Sequence, residues 1–242
     1  MRRFALVVIC MIAVVACDKH DPILPGVRTD IFNSGDVNVR GDSIPKLAEN
    51  IDIEPATECP YRRDDKNNIW NGERKVFAGF PTANSVRTTA TPVCSGVFVY
   101  SGLSTGELVK INPATRSAVW VADIFRPSNM TGGASLVDIV VSPVVYGKYV
   151  YAGGLGDALC KISASTGAKQ WCTPIGVAHD FIVTDNALFV VATDGNLYAI
   201  DTSNGDAYWR TSVKKQLRPT YANKIITVGR ERFNAENGDK IK

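Results

Sequence analysis

The sequence predicts an all-β fold, a β-propeller of about four antiparallel four-stranded blades arranged as an incomplete ring. Three observations predict it. From about residue 88 onward, short runs rich in Val, Ile, Tyr and Thr alternate with clusters of Gly, Asn, Asp and Ser, the texture of strands joined by turns. No stretch carries a sustained helical period. A pattern in which Leu precedes Ile by three residues and Trp by twelve recurs without gaps at Leu108–Trp120, Leu159–Trp171 and Leu197–Trp209. The Trp residues lie 51 and 38 positions apart, a unit of about 40 residues with one insertion around Phe125–Ser135.

Each unit reads as four strands. Candidates are Val97–Tyr100, Glu107–Ile111, Ala118–Ala122, Ile139–Val145, Tyr149–Ala152, Ala158–Ile162 and Lys169–Thr173, continued by Phe181–Thr184, Leu188–Ala192, Leu197–Ile200, Ala207–Thr211 and Lys224–Val228. Leu-x-x-Ile opens a strand, and Ser165-Thr166-Gly167 or Ser203-Asn204-Gly205 supplies a turn with positive φ at Gly167 or Gly205. The return strand ends on Trp120, Trp171 or Trp209, rings large enough to bury between neighbouring sheets. A fourth copy places Phe233 at the Ile position, Asn237-Gly238 at the turn and Lys242 at the Trp position. Thr88 to Lys242 holds just under four such units, so an open or shortened ring is expected, with exposed blade faces that favour self-association.

Ahead of the repeats, residues 1–16 form an export signal: Arg2 and Arg3, an apolar run from Phe4 to Val15, then Ala16 before Cys17. The run is too short to span a bilayer stably. Ordinary secretion with cleavage after Ala16 is one reading. Residues 17–66 are polar and proline-rich, and read as a tether plus irregular structure. The propeller is expected over 67–242, with Ile69–Phe77 as a possible closing strand.

Composition removes several function classes. With 45% hydrophobic and 21% charged residues, the chain is globular. A net charge of +3 is too small for an electrostatic nucleic-acid binder, so no nucleic-acid partner is expected. Two histidines, His20 and His179, supply metal or His-based catalysis poorly. Asp180 beside His179 forms no persuasive triad, and Gly153-Gly154-Leu155-Gly156 reads as a hairpin loop. The Arg62-Arg63-Asp64-Asp65-Lys66 run reads as a solvated turn. Lys214-Lys215 with Arg218 reads equally as an exposed loop or a contact for an acidic partner. Tyr146, Tyr149, Tyr151 and Phe189 read as packing between blades. No catalytic residue, metal site or cofactor is expected.

Four cysteines follow Cys17: Cys59, Cys94, Cys160 and Cys172. Oxidising conditions outside the cytoplasm permit disulfides, and four cysteines allow three pairings. The repeat puts Cys160 and Cys172 at Leu+1 and Trp+1 on neighbouring strands, which predicts a bridge between them.

Two resemblances add to this reading. Val14-Val15-Ala16-Cys17 resembles the lipobox of bacterial lipoproteins, which implies acylation of Cys17 and attachment to a membrane. An outer-membrane location is favoured, and Asp18, which resembles an inner-membrane retention signal, keeps the inner membrane open. Ala199-Ile200-Asp201-Thr202-Ser203-Asn204-Gly205-Asp206-Ala207-Tyr208-Trp209 resembles the Ala-x-Asp-x-x-Thr-Gly-x-x-x-Trp motif of PQQ-like β-propeller repeats. The second copy keeps Thr166, Gly167 and Trp171, and the first keeps Thr115 and Trp120 but carries Arg116 for Gly. With the lipobox, this resembles the BamB family of propeller lipoproteins. That resemblance implies a non-enzymatic, periplasm-facing scaffold that binds a BamA-like protein partner and assists assembly of outer-membrane β-barrel proteins. Quinoprotein dehydrogenases share the repeat, and a remnant or subunit using PQQ and calcium is the alternative. Their adjacent Cys-Cys pair does not occur here.

Overall fold

The computed structural model describes residues 36–49, 59–82, 85, 86, 88, 90–125 and 136–241. The export signal, Cys17 and Lys242 lie outside the described residues, as do most of the insertion expected at 125–135 and the tether before residue 36. Among the described residues, nineteen strands form five sheets that follow one another along the chain. Blade 1 holds β1 (Tyr61–Arg63), β2 (Ile69–Asn71) and β3 (Arg74–Phe77). Blade 2 holds β4 (Val93–Ser95), β5 (Phe98–Gly102), β6 (Glu107–Asn112) and β7 (Ser117–Asp123). Blade 3 holds β8 (Val144–Tyr146), β9 (Tyr149–Gly153), β10 (Leu159–Ser163) and β11 (Lys169–Thr173). Blade 4 holds β12 (Ile182–Val183), β13 (Ala187–Val191), β14 (Asn196–Asp201) and β15 (Ala207–Ser212). Blade 5 holds β16 (Pro219–Ala222), β17 (Ile225–Val228), β18 (Glu231–Asn234) and β19 (Lys240–Ile241).

Every sheet is an antiparallel meander in chain order, as hairpin connections require. Among the described residues, the four apolar clusters join blade 1 to 2, 2 to 3, 3 to 4 and 4 to 5. Among the described residues no cluster joins blade 5 to blade 1, and the five described sheets form an open arc. Four four-stranded blades match the expected number.

The fifth sheet was not expected as a blade. Ile69–Phe77, read as a possible closing strand, is a hairpin of its own, and β1 begins ahead of the boundary set at residue 67. The charges that suggested a solvated turn are accommodated within this sheet. The Arg62 guanidinium lies 5.4 Å from the Trp70 ring centroid, and Lys75 Nζ lies 5.1 Å from it. Asp64 closes the β1–β2 turn, accepting from the Asn68 backbone N–H at 2.8 Å and from the Trp70 indole at 2.8 Å. Within Ile139–Val145 only the end is strand. Ile139 and Val141 are buried outside any strand, Ile139 in the cluster between blades 2 and 3 and Val141 in the one between blades 3 and 4.

A bulge recurs at one place. The ladder slips between Lys110 and Ile111, between Lys161 and Ile162, and between Ala199 and Ile200. The extra residue sits on the outer strand, so Trp and the residue two places before it project to opposite faces. One face then packs on the preceding blade through Ile, and the other on the following blade through Trp. The same slip falls between Ile69 and Trp70, which puts Arg62, Trp70 and Lys75 in the row held elsewhere by Val99, Ile111 and Ala118. Blade 1 therefore presents a cationic, aromatic outer face where blades 2 and 4 present aliphatic ones.

Candidate interaction surface

The repeat residues build a lock between consecutive blades. The Trp120 indole N–H donates to the Ala164 carbonyl at 3.2 Å, Trp171 to Thr202 at 3.1 Å, and Trp209 to Ala235 at 3.2 Å. Each acceptor lies in the turn of the following blade. The same rings cover the turn glycines: a Cβ added to Gly167 would come within 2.8 Å of Trp120, and one on Gly205 within 2.9 Å of Trp171. Glycine is needed there twice over, because φ is +76° at Gly167 and +85° at Gly205. An aromatic residue from the second strand tilts against each Trp, in the pairs Tyr100–Trp120, Tyr151–Trp171 and Phe189–Trp209, with centroids 5.9 to 6.1 Å apart.

Two lysines reinforce the lock. Lys110 Nζ donates to Ala164 O at 2.8 Å and sits 3.9 Å from the Phe98 ring centroid. Lys161 Nζ donates to Thr202 O at 2.7 Å and sits 4.0 Å from the Tyr149 ring centroid. Burial pulls both ammonium pKa values down. Blade 4 has Ala199 at this position, and blade 5 has Arg232.

Asp201 has a different role. Its carboxylate accepts from the Ser203 backbone N–H at 2.8 Å, which shapes the β14–β15 turn, and from Arg40 at 2.8 Å. Burial works to raise its pKa, but hydrogen bonds from Ser203, Arg40 and Tyr208 together hold it below the usual carboxylate range. Arg40 also lies 4.5 Å from the Tyr208 ring centroid. It anchors a strap, residues 36–49, that crosses blades 4 and 5. Val39 forms a parallel bridge with Ala207. Ile44 N–H donates to Glu236 O, and the Glu49 carbonyl accepts from Lys224 N–H. Ile44 and Leu47 are buried in the cluster between these blades, while Val37 and Val39 pack on the one before it. Part of the segment read as tether is thus docked structure.

Disulfides join Cys160 to Cys172 and Cys59 to Cys94. The first faces across the β10–β11 ladder and is buried; the second joins the entry to blade 1 with β4 of blade 2. A polar cleft of about 290 Å³ opens between these two blades, with Arg63, Asp64, Asn67, Thr88 and Ser104 in its walls. Arg63 donates to the carbonyls of Gly102 and Ile139, and burial lowers its pKa against the opposing charge of Asp138. Its guanidinium is used as a brace between elements. Asp180 pairs with Arg218 at 3.5 Å on the surface. Tyr146 reaches across to Asp185 of blade 4 at 2.8 Å, and Tyr151 and Phe189 are buried.

Sequence reasoning passed over Arg40, Lys110 and Lys161. The two lysines share one repeat position, immediately before Ile, which is the signal that could have found them. Arg40 had only the alternation of Val37 and Val39 around it.

Consecutive four-stranded sheets, each clamped to the next by Trp over Gly, define a β-propeller protein of PQQ-like repeats. The chain belongs to the family described as outer membrane protein assembly factor BamB, whose sequence profile matches residues 54–211. It is 25% identical over 138 residues to the outer membrane protein assembly factor BamB of Kangiella koreensis, covering 57% of this chain and 36% of that relative. It is 26% identical over 136 residues to the BamB of Alkalilimnicola ehrlichii, covering 56% and 36%. The chain thus matches little more than a third of the length of these curated relatives. The crystal structure of BamB from Moraxella catarrhalis shares the fold, with a TM-score of 0.57 at 20% identity over 70% of this chain and 54% of that one.

Proposed function

We propose that this protein is a non-enzymatic propeller scaffold, exported and tethered through lipid on Cys17, that assists assembly of outer-membrane β-barrel proteins by holding a BamA-like partner. The family match over residues 54–211 carries the reading. The architecture supports it: repeat residues Trp120, Trp171, Gly167, Trp209 and Gly205 serve the packing of blades, and Asp201 serves a turn and the strap. An arc whose outer strand β7 is largely exposed offers surface for protein contacts.

Affinity capture of the tagged chain from gently solubilised membranes tests the reading. Recovery of a BamA-like protein is the expected result. Recovery of an unrelated complex, with no BamA-like protein, refutes the assembly role. Mass spectrometry of the amino-terminal peptide tests the anchor, and an unmodified Cys17 refutes it.

A further inference from the structure

We propose that the outer edge of β7 is a docking site for an extended segment of a partner polypeptide with aliphatic side chains at alternate positions, added as a parallel strand. The chain displays the binding mode on its own blade 4. There Ala207 N–H donates to Asn38 O at 2.8 Å, and Ala207 O accepts from Arg40 N–H at 2.9 Å. Ala207, Tyr208 and Trp209 are buried at this edge.

Register places Ala118 of blade 2 where Ala207 stands in blade 4, since each faces the repeat Ile across the same bulge. On blade 2 no described residue covers this edge. Val119 is 46% and Val121 49% exposed, and among the described residues no strand or bridge pairs with the outer side of β7. An unpaired edge carrying aliphatic side chains is a template for strand addition. Val119 is the bulged residue of β7, as Tyr208 is of β15, and Val121 follows it on the regular part of the strand.

The register also fixes the chemistry of the occupant. On blade 4 the strap offers Arg40 to Asp201 and to the Tyr208 ring. Blade 2 has Asn112 and Val119 at those two places, neither an anion nor a ring. An aliphatic residue belongs where the strap carries arginine. Blade 3 has Lys169 and Gln170 on the corresponding edge, which suits an apolar strand poorly.

The test uses the full chain in detergent micelles and a fluorescent peptide of residues 36–49 carrying Arg40→Val. Saturable binding is expected, weakened about tenfold or more by V119K/V121K and unchanged by Q170K. V119T/V121T, which keeps β-branched side chains, should weaken it less. Circular dichroism confirms that each variant is folded. Absence of saturable binding, or equal binding by V119K/V121K, overturns the proposal. So does binding that depends on D201N and ignores the valines, because the peptide then displaces the strap. A concentration-dependent dimer abolished by V119K/V121K, without peptide binding, overturns it in favour of a second copy of this chain. Loss of BamA-like partner capture alone leaves this readout untouched.

Discussion

Replacing Gly205 by alanine probes the lock between blades 3 and 4 most directly. At φ +85° an L-residue is strained, which costs about 1–2 kcal/mol. The added Cβ would also stand 2.8 Å from Thr173 Oγ1 and 2.9 Å from two Trp171 ring atoms. Overpacking of that kind costs about a further 1–3 kcal/mol, for a total near 2–5 kcal/mol. Gly147 is the control, with φ +57° and nothing within 4 Å of its Cβ position. Gly147→Ala therefore carries only the backbone cost. Urea unfolding followed by Trp fluorescence should separate the two: with m of about 2 kcal/mol/M, the extra ~2 kcal/mol lowers the G205A midpoint about 1 M below that of G147A. Equal midpoints would show that the ring over the turn yields freely, and would refute the lock.

Three further outcomes follow from the same geometry. The Asp201 pKa is held below its unfolded value, so its contribution to strap docking is fully present above about pH 4 and is lost as pH falls through the folded value. The protection of the residue 36–49 amides, measured against their intrinsic exchange rates, should therefore fall on acidification, and in D201N the strap should be less protected at neutral pH with no further acid step from this group. Lys161→Met should change stability by less than about 1 kcal/mol, because relief of desolvation offsets the lost bond to Thr202; Lys161→Glu should cost about 2 kcal/mol or more by burying an anion against that carbonyl. Thermal melts compare the two, and a strongly destabilised K161M contradicts the balance. Partial reduction and alkylation should label Cys59 and Cys94 before Cys160 and Cys172, whose side chains are buried. Peptide mapping that finds the reverse order contradicts that burial.

The blades were legible because Leu-x-x-Ile, the turn and Trp each recur at fixed offsets, and a repeat converts weak local preferences into a consistent pattern. Blade 1 escaped for a physical reason: its outward row is Arg62, Trp70 and Lys75, charged residues whose stems lie on an indole, and such a strand lacks the aliphatic alternation that marks the others. Ile139 and Val141 misled in the opposite direction, since apolar and β-branched residues also fill gaps between sheets without joining a ladder. Arg40 was invisible because its partners, Asp201 and Tyr208, are brought to it by tertiary folding. Asp201 was identified as a repeat residue, but its second bond, to the strap, is absent from the motif.

The strap also imposes an order of events. Residues 36–49 leave the ribosome before any blade, yet Ala207, Glu236 and Lys224, which receive them, come from the last two sheets. Each Trp clamp closes as soon as the next blade exists, a short-range step. The strap has to wait for blades 4 and 5. Its docking is a latch that closes only once blades 4 and 5 are formed, so a chain in which those two blades misfold carries a loose, protease-sensitive segment at residues 36–49.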